Sequence, residues 1–234
     1  MIRRVAFLFL AVLTAATALF AREYKVNTGV FNKLKVPDNL TVIYESNPEM
    51  NGVATFECSD NLADALMFVN NEKGRLTIEI SPDYLGKDID LPTVHVYSEF
   101  LTEVESSSDK MVTIKNISRM PELKATLYGN GTLELLDLDH HKVSAALMTG
   151  HGLIRLEGNV ADALFKVAGA GKIDGSRLPS DKVTCHVFGG GEIYCAPLNE
   201  IKLKGLGSTT VYYTGNPKQV KKQGVGKLVH ISEN

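Results

Sequence analysis

The chain has 234 residues, 44% of them hydrophobic, with a formal net charge of −2 at pH 7, three cysteines and no tryptophan. A slightly acidic chain offers no overall basic surface, so no nucleic acid is expected as a partner, and three cysteines are too few for a disulfide scaffold. The length is enough for a real core, built as one elongated domain or two.

Residues 2–21, IRRVAFLFLAVLTAATALFA, bring Arg3 and Arg4, then an apolar run, then small residues. That is the layout of a secretory signal peptide over residues 1–21, with Ala18 or Ala21 as the last residue removed. As a membrane anchor the run is only marginally long enough. Export to the periplasm, the outer surface or the medium is therefore expected. Without the leader the chain has 23 basic and 27 acidic residues, a formal charge of −4. No second long apolar stretch exists, so an integral membrane protein is not expected.

Beyond the leader, the segments 31–36, 40–45, 53–58, 75–80 and 93–97 alternate apolar and polar residues and read as strands. NLADALMF, 61–68, reads as one short helix, and SPDYLGKDIDLP, 81–92, as a loop. Residues 22–103 are expected to form an irregular β region that caps the open end of a solenoid built by the rest of the chain.

That remainder, residues 104–234, is a repeat. Six Gly-x-Gly motifs recur: Gly129-Asn130-Gly131, Gly150-His151-Gly152, Gly169-Ala170-Gly171, Gly189-Gly190-Gly191, Gly205-Leu206-Gly207 and Gly224-Val225-Gly226. Their spacings are 21, 19, 20, 16 and 19 residues. EVESSSDKMVTI, 103–114, looks like an earlier corner with serines in place of glycines. Two and four residues before each motif the side chains are mostly apolar (Leu127 and Ala125, Met148 and Ala146, Val167 and Phe165). The same holds four and six residues after it (Leu133 and Leu135, Ile154 and Leu156). A unit of about 20 residues is thus strand, glycine corner, strand, connection. It is too short for a crossover helix and cannot bury its apolar face alone, so units must stack. The expected fold is all-β: a parallel β-helix or solenoid of two facing sheets with Gly-x-Gly corners and an irregular N-terminal β cap, in one continuous domain. Glycine suits the corner because a Cβ would be penalised there by positive φ or by the neighbouring turn.

The serial corners GNGTLEL, GHGLIRL, GAGKID, GGGEIY and GVGKL, with FNKLKV…LTVIYE, GRLTIEI and VYYTGNP, resemble the secreted bacterial family described as putative auto-transporter adhesin, head GIN domain, which is frequent in the Bacteroidetes. The resemblance covers residues 30–231. It implies a β-helical fold like that of pectin-lyase solenoids without their catalytic residues, and a role in adhesion.

Catalytic chemistry finds little support in the residues, and no cofactor is expected. Asp137, Asp139, His140 and His141 are close in sequence, but a loop between rungs is expected there, so they read as solvated side chains and no metal site is assigned. Lys166, Arg155 and Asp174 have lyase-like chemistry, yet Lys166 maps to one sheet and the other two to the opposite one. Cys185 and Cys195 map to facing sheets about 10 Å apart, beyond disulfide reach, and read as buried thiols. A carbohydrate-active, lyase-like enzyme or a glycan-binding module on the same solenoid is the alternative to a non-enzymatic surface protein with an adhesive or scaffolding role.

One surface feature stands out. Lys166, His186, Lys202 and Lys221 each lie three residues before a corner glycine, with Lys204 nearby, and form a basic stripe on an acidic protein. Such a stripe suits an anionic partner, a surface glycan or a protein receptor. The last rung places Lys222 and His230 in core columns and leaves Leu206 and Val225 at exposed turns. Little chain remains to cover that end, so contact with a second copy is expected there.

Overall fold

The structure is a computed structural model that describes residues 21–232. The signal-peptide reading falls on residues outside these, apart from Ala21. Alternation of apolar and polar side chains folds the described chain into seventeen strands and three short 3-10 helices. In chain order the strands are β1 (Arg22–Asn27), β2 (Lys33–Val36), β3 (Val42–Ser46), β4 (Val53–Cys58), β5 (Leu66–Asn70), β6 (Arg75–Ile80) and β7 (Val94–Ser98). Then come β8 (Glu103–Ser106), β9 (Met111–Lys115), β10 (Glu122–Tyr128) and four long strands, β11 (Thr132–Thr149), β12 (Leu153–Val167), β13 (Lys172–Val187) and β14 (Glu192–Gly205). Short strands β15 (Thr210–Tyr213), β16 (Gln219–Gly224) and β17 (Lys227–His230) close the series.

These strands stack as a parallel β-solenoid. One sheet, called the first, runs β6, β2, β8, β10, the second halves of β11 to β14, then β16, all parallel. The second sheet runs β7, β3, β9, the first halves of β11 to β14, then β15 and β17, also parallel. The chain crosses from the first sheet to the second at each glycine corner. It returns through a bend within each long strand, marked in β11 by Asp137 at φ 56°, a left-handed conformation that Asp tolerates better than most residues.

Inward columns fill the space between the sheets. On the first sheet Leu76, Leu34, Val104, Ala125, Ala145, Phe165, Cys185 and Leu203 succeed one another and are buried. Val94, Val42, Val112, Leu133, Ile154, Ile173, Ile193 and Val211 do the same on the second. Each large aliphatic side chain so buried contributes about 1.5–3 kcal/mol. Large and small residues are matched across the core: a Cβ on Gly175 would lie 2.8 Å from the Phe165 ring.

Register differs from the sequence spacing at two corners. Before Gly150 the inward residues are Ala145 and Leu147, not Ala146 and Met148. A bulge at Leu127/Tyr128 pairs Tyr128 with Thr149 and absorbs one residue, which accounts for the 21-residue step. At the fifth corner Gly205 sits opposite Val187, and Gly207, not Gly205, lies over the Gly189 carbonyl. Thr209 then stands near the second glycine's place, its N–H donating to the Gly189 carbonyl (3.1 Å).

The two ends differ. Beyond the β6/β7 rung, β5 pairs antiparallel with β6, β4 with β7 and β1 with β4, which ends parallel stacking. Residues 22–103 thus supply rungs as well as these end strands. The segment 61–68 is not one helix: a 3-10 helix, Asp60–Ala65, leads into β5, whose pairing with β6 wins over local helix propensity. At the other end β16 and β17 stack on one side only, and every residue of β16 is exposed. Lys222 pairs with Leu203 and His230 with Tyr213, so both occupy inward columns of an end rung.

Candidate functional site

The corner glycines show why the rungs can approach. Gly131, Gly150, Gly171, Gly189 and Gly191 each lie so close to the rung before that a Cβ would collide with a backbone carbonyl oxygen: that of Ser108, Gly129, Gly152, Gly169 and Gly171 respectively. Gly152 and Gly169 would additionally press on Leu127 and Leu147. Gly129, Gly150, Gly205, Gly224 and Gly226 have positive φ; the other corner glycines do not. Crowding is therefore the more general reason for glycine here, and Ser108, at the serine-built corner, bonds instead through its hydroxyl to the Leu40 carbonyl (2.9 Å).

Stacking in this register brings the outward residues of the first sheet into columns about 4.8 Å apart along the axis. One column reads Glu122, Lys142, Asp162, Lys182 and Glu200, alternating in sign at every rung. Lys142 Nζ lies 3.0 Å from Glu122, whose carboxyl is held below its ordinary value chiefly by that bond. Carboxylates in this column sit two rungs apart, roughly 9–10 Å, too far to share one cation. Among the described residues no group of three or more His, Cys, Asp or Glu side chains could hold a metal ion.

The basic residues fall in two neighbouring columns, not one. Lys166, His186 and Lys204 are direct neighbours on β12, β13 and β14. Lys202 pairs with Lys221 in the column beside them. The two-residue shift at the Gly205 corner makes the difference, because counting back from Gly205 picks Lys202 where stacking picks Lys204. Burial first, then Lys204, Lys166 and Lys202, push the His186 imidazole below its ordinary value of 6.5. Lys221 is partly neutralised by Glu200 at 2.7 Å.

A third column borders these lysines at the corner, and two of its members, Leu206 and Val225, are the exposed apolar turn residues at which the sequence leads one to expect a second copy. Phe188, Leu206 and Val225 continue the outward alternation of β13, β14 and β16 and are 56%, 79% and 58% exposed. Phe188 is the member the sequence reading missed: it joins Leu206 and Val225 only once the register is known, each lying two residues beyond His186, Lys204 and Gln223 respectively.

Other candidates are dispersed. His140 is buried, with no partner for either ring nitrogen among the described residues, whereas the Asp139 and His141 side chains are largely exposed, so Asp137, Asp139, His140 and His141 do not converge. Arg155 and Asp174 are neighbours on the second sheet and Lys166 lies on the first. Asp38, in a depression of about 550 Å³ beside Lys87 and Asp88, already accepts the Ile80 N–H (2.8 Å). Tyr194 stacks on Tyr212 at 4.7 Å with Lys172 over it at 4.0 Å, so its faces are occupied. Cys185 and Cys195 are free and buried. The neighbouring Cys195, then burial, hold the Cys185 thiol well above its ordinary range.

A family model described as putative auto-transporter adhesin, head GIN domain, matches residues 30–217. No curated protein matches the chain. Among solved structures it is similar to a putative adhesin from Bacteroides fragilis, at 19% identity and TM-score 0.74, over 90% of this chain and 97% of that one. A putative adhesin from Parabacteroides merdae matches at 19% identity and TM-score 0.68, over 92% and 97%. A putative lipid binding protein from Parabacteroides distasonis matches at 18% identity and TM-score 0.68, over 91% and 97%. At such identities the likeness is one of fold.

Proposed function

Because the chain belongs to the family of putative auto-transporter adhesin, head GIN domain proteins, we propose that it is a non-enzymatic, exported surface-interaction protein that engages an anionic partner. The observation that carries this reading is the paired lysine columns, Lys166–His186–Lys204 and Lys202–Lys221, on the outward face of the first sheet. They concentrate positive charge on a chain whose net charge is negative, so attraction to an anion is local and oriented. The leader reading of residues 1–21 supports export, and the family supports a surface location.

Two features speak against a lyase on this solenoid. The carboxylates of the Glu122–Glu200 column alternate with lysines, and among the described residues no group of three or more His, Cys, Asp or Glu side chains could hold a metal ion. A glycan-binding module through stacked aromatics is also disfavoured, since Tyr194 is sandwiched between Tyr212 and Lys172.

The test is binding of residues 21–234 to an array of acidic glycans and matrix proteins, with a Lys166→Gln/Lys204→Gln/Lys221→Gln variant alongside. Salt-sensitive binding that falls at least about tenfold in the variant is expected, on the order of 1 kcal/mol or more in total from three charge contacts. Binding that the variant leaves intact, or depolymerisation of a glycan by the wild type, contradicts the reading.

A further inference from the structure

We propose that the corner side of this face docks on an anionic lipid surface. The proposal rests on the anionic-partner reading above and names the partner's class.

Three successive rungs leave the first sheet on an apolar residue in one outward column: Phe188, Leu206 and Val225. Backbone bonds fix their register: the Phe188 N–H donates to the Val167 carbonyl (2.8 Å), that of Leu206 to Val187 (3.0 Å) and that of Val225 to Gly205 (2.9 Å). A single exposed apolar side chain calls for no explanation. Three in a column, about 4.8 Å apart, form a continuous ridge at a convex corner.

The lysines, with His186 among them, stand directly behind this ridge. Lys166, His186 and Lys204 occupy the adjacent column, Lys202 and Lys221 the next. Lys166 Nζ lies 6.0 Å from the centre of the Phe188 ring. Alternate residues on a strand are roughly 6.5–7 Å apart, so apolar tips and ammonium groups meet a flat partner together. That order suits a bilayer interface: the ridge enters the boundary of the acyl chains while the lysines remain at the phosphates. A polysaccharide would satisfy the lysines and leave the ridge in water. An extended peptide added to the free edge of β16 would continue the stack and leave Phe188 and Leu206 in water. The attraction acts within a Debye length of about 8–10 Å, which would turn the second sheet, with Lys172 and Tyr194, away from the membrane.

Residues 21–234, which contain the whole described core, are tested by co-sedimentation with phosphatidylcholine vesicles with and without phosphatidylglycerol, at low and high salt. Binding only to the anionic vesicles, weakened by salt, is expected. Each lysine neutralised costs roughly fivefold, so Lys166→Gln/Lys204→Gln/Lys221→Gln should lower affinity on the order of 100-fold. Phe188→Ser/Leu206→Ser/Val225→Ser should lower it at least about tenfold with no loss of melting temperature, while Lys172→Gln changes nothing. Equal binding to neutral vesicles overturns the proposal, as does a triple-serine variant that binds like the wild type. No vesicle binding, with lysine-dependent retention on polygalacturonate, overturns it and leaves the anionic-partner reading standing; failure of both removes both. A vesicle-free dimer that the triple-serine variant dissolves assigns the ridge to a second copy and also overturns it.

Discussion

At the scale of single residues, the corners are decided by crowding. A Cβ on Gly171 would fall on the Gly152 carbonyl, a backbone atom that cannot move without displacing a rung. One on Gly190 would meet only the Ser208 hydroxyl, at 3.2 Å. Gly171→Ala should therefore destabilise by about 1–3 kcal/mol, and Gly171→Val by at least as much, while Gly190→Ala stays within about 0.5 kcal/mol. Thermal melts of the three variants check this; equal melting temperatures for Gly171→Ala and Gly190→Ala contradict it. His140 gives a second residue-scale prediction. Burial, partly opposed by Asp139 and reinforced by Arg119, pushes its imidazole below 6.5, and neither ring nitrogen has a partner among the described residues. The unfolded chain then binds a proton at a higher pH than the folded one does. Its contribution to stability is complete above about pH 6.5 and is lost as the pH falls through the lowered value. Melting temperature should drop between pH 7 and pH 5, and His140→Phe should flatten that slope; an unchanged slope counts against the assignment.

At the scale of elements, alternation in the sequence marks strands well because one face of each strand is buried and the other wet. FNKLKV, LTVIYE and RLTIEI all become strands close to their expected bounds. Stacking register is harder to read. Sequence counts residues between glycines, whereas the solenoid counts rungs, and the two part company wherever a bulge is inserted. The extra residue opposite Tyr128 and the shift at Gly205 leave no composition signal. The shift at Gly205 hid the true basic columns and, with them, the place of Phe188 in line with Leu206 and Val225. The N-terminal rungs were hidden differently: β2 and β3 turn through Pro37–Leu40 without a glycine pair, yet β8 and β9 stack on them. Element stability should track the number of neighbours. β12 and β13 are paired on both edges and buried along one face, whereas β16 is paired on one edge and fully exposed. Native-state hydrogen exchange should find the amides of β16 and β17 exchanging fastest among the strands and the second halves of β12 and β13 slowest. Uniform protection along the solenoid would contradict this.

At the scale of the whole molecule, one continuous core joins the N-terminal strands to the last full rung, so the chain presents long, flat outer faces. No helix among the described residues is long and apolar enough to cross a membrane. On such a scaffold, function depends on which residues each outer column displays. The first sheet displays an alternating ion ladder on one side and lysines backed by an apolar ridge on the other; the second displays Tyr194, Tyr212 and their paired charges. The central claim is that partners meet the first of these faces. Lysine acetylation footprinting of residues 21–234, read by mass spectrometry with and without phosphatidylglycerol vesicles or polygalacturonate, tests it most directly. Protection of Lys166, Lys202, Lys204 and Lys221 with Lys172 still reactive is the predicted result. Protection centred on Lys172, or none at the four lysines when the protein is bound, would contradict the claim.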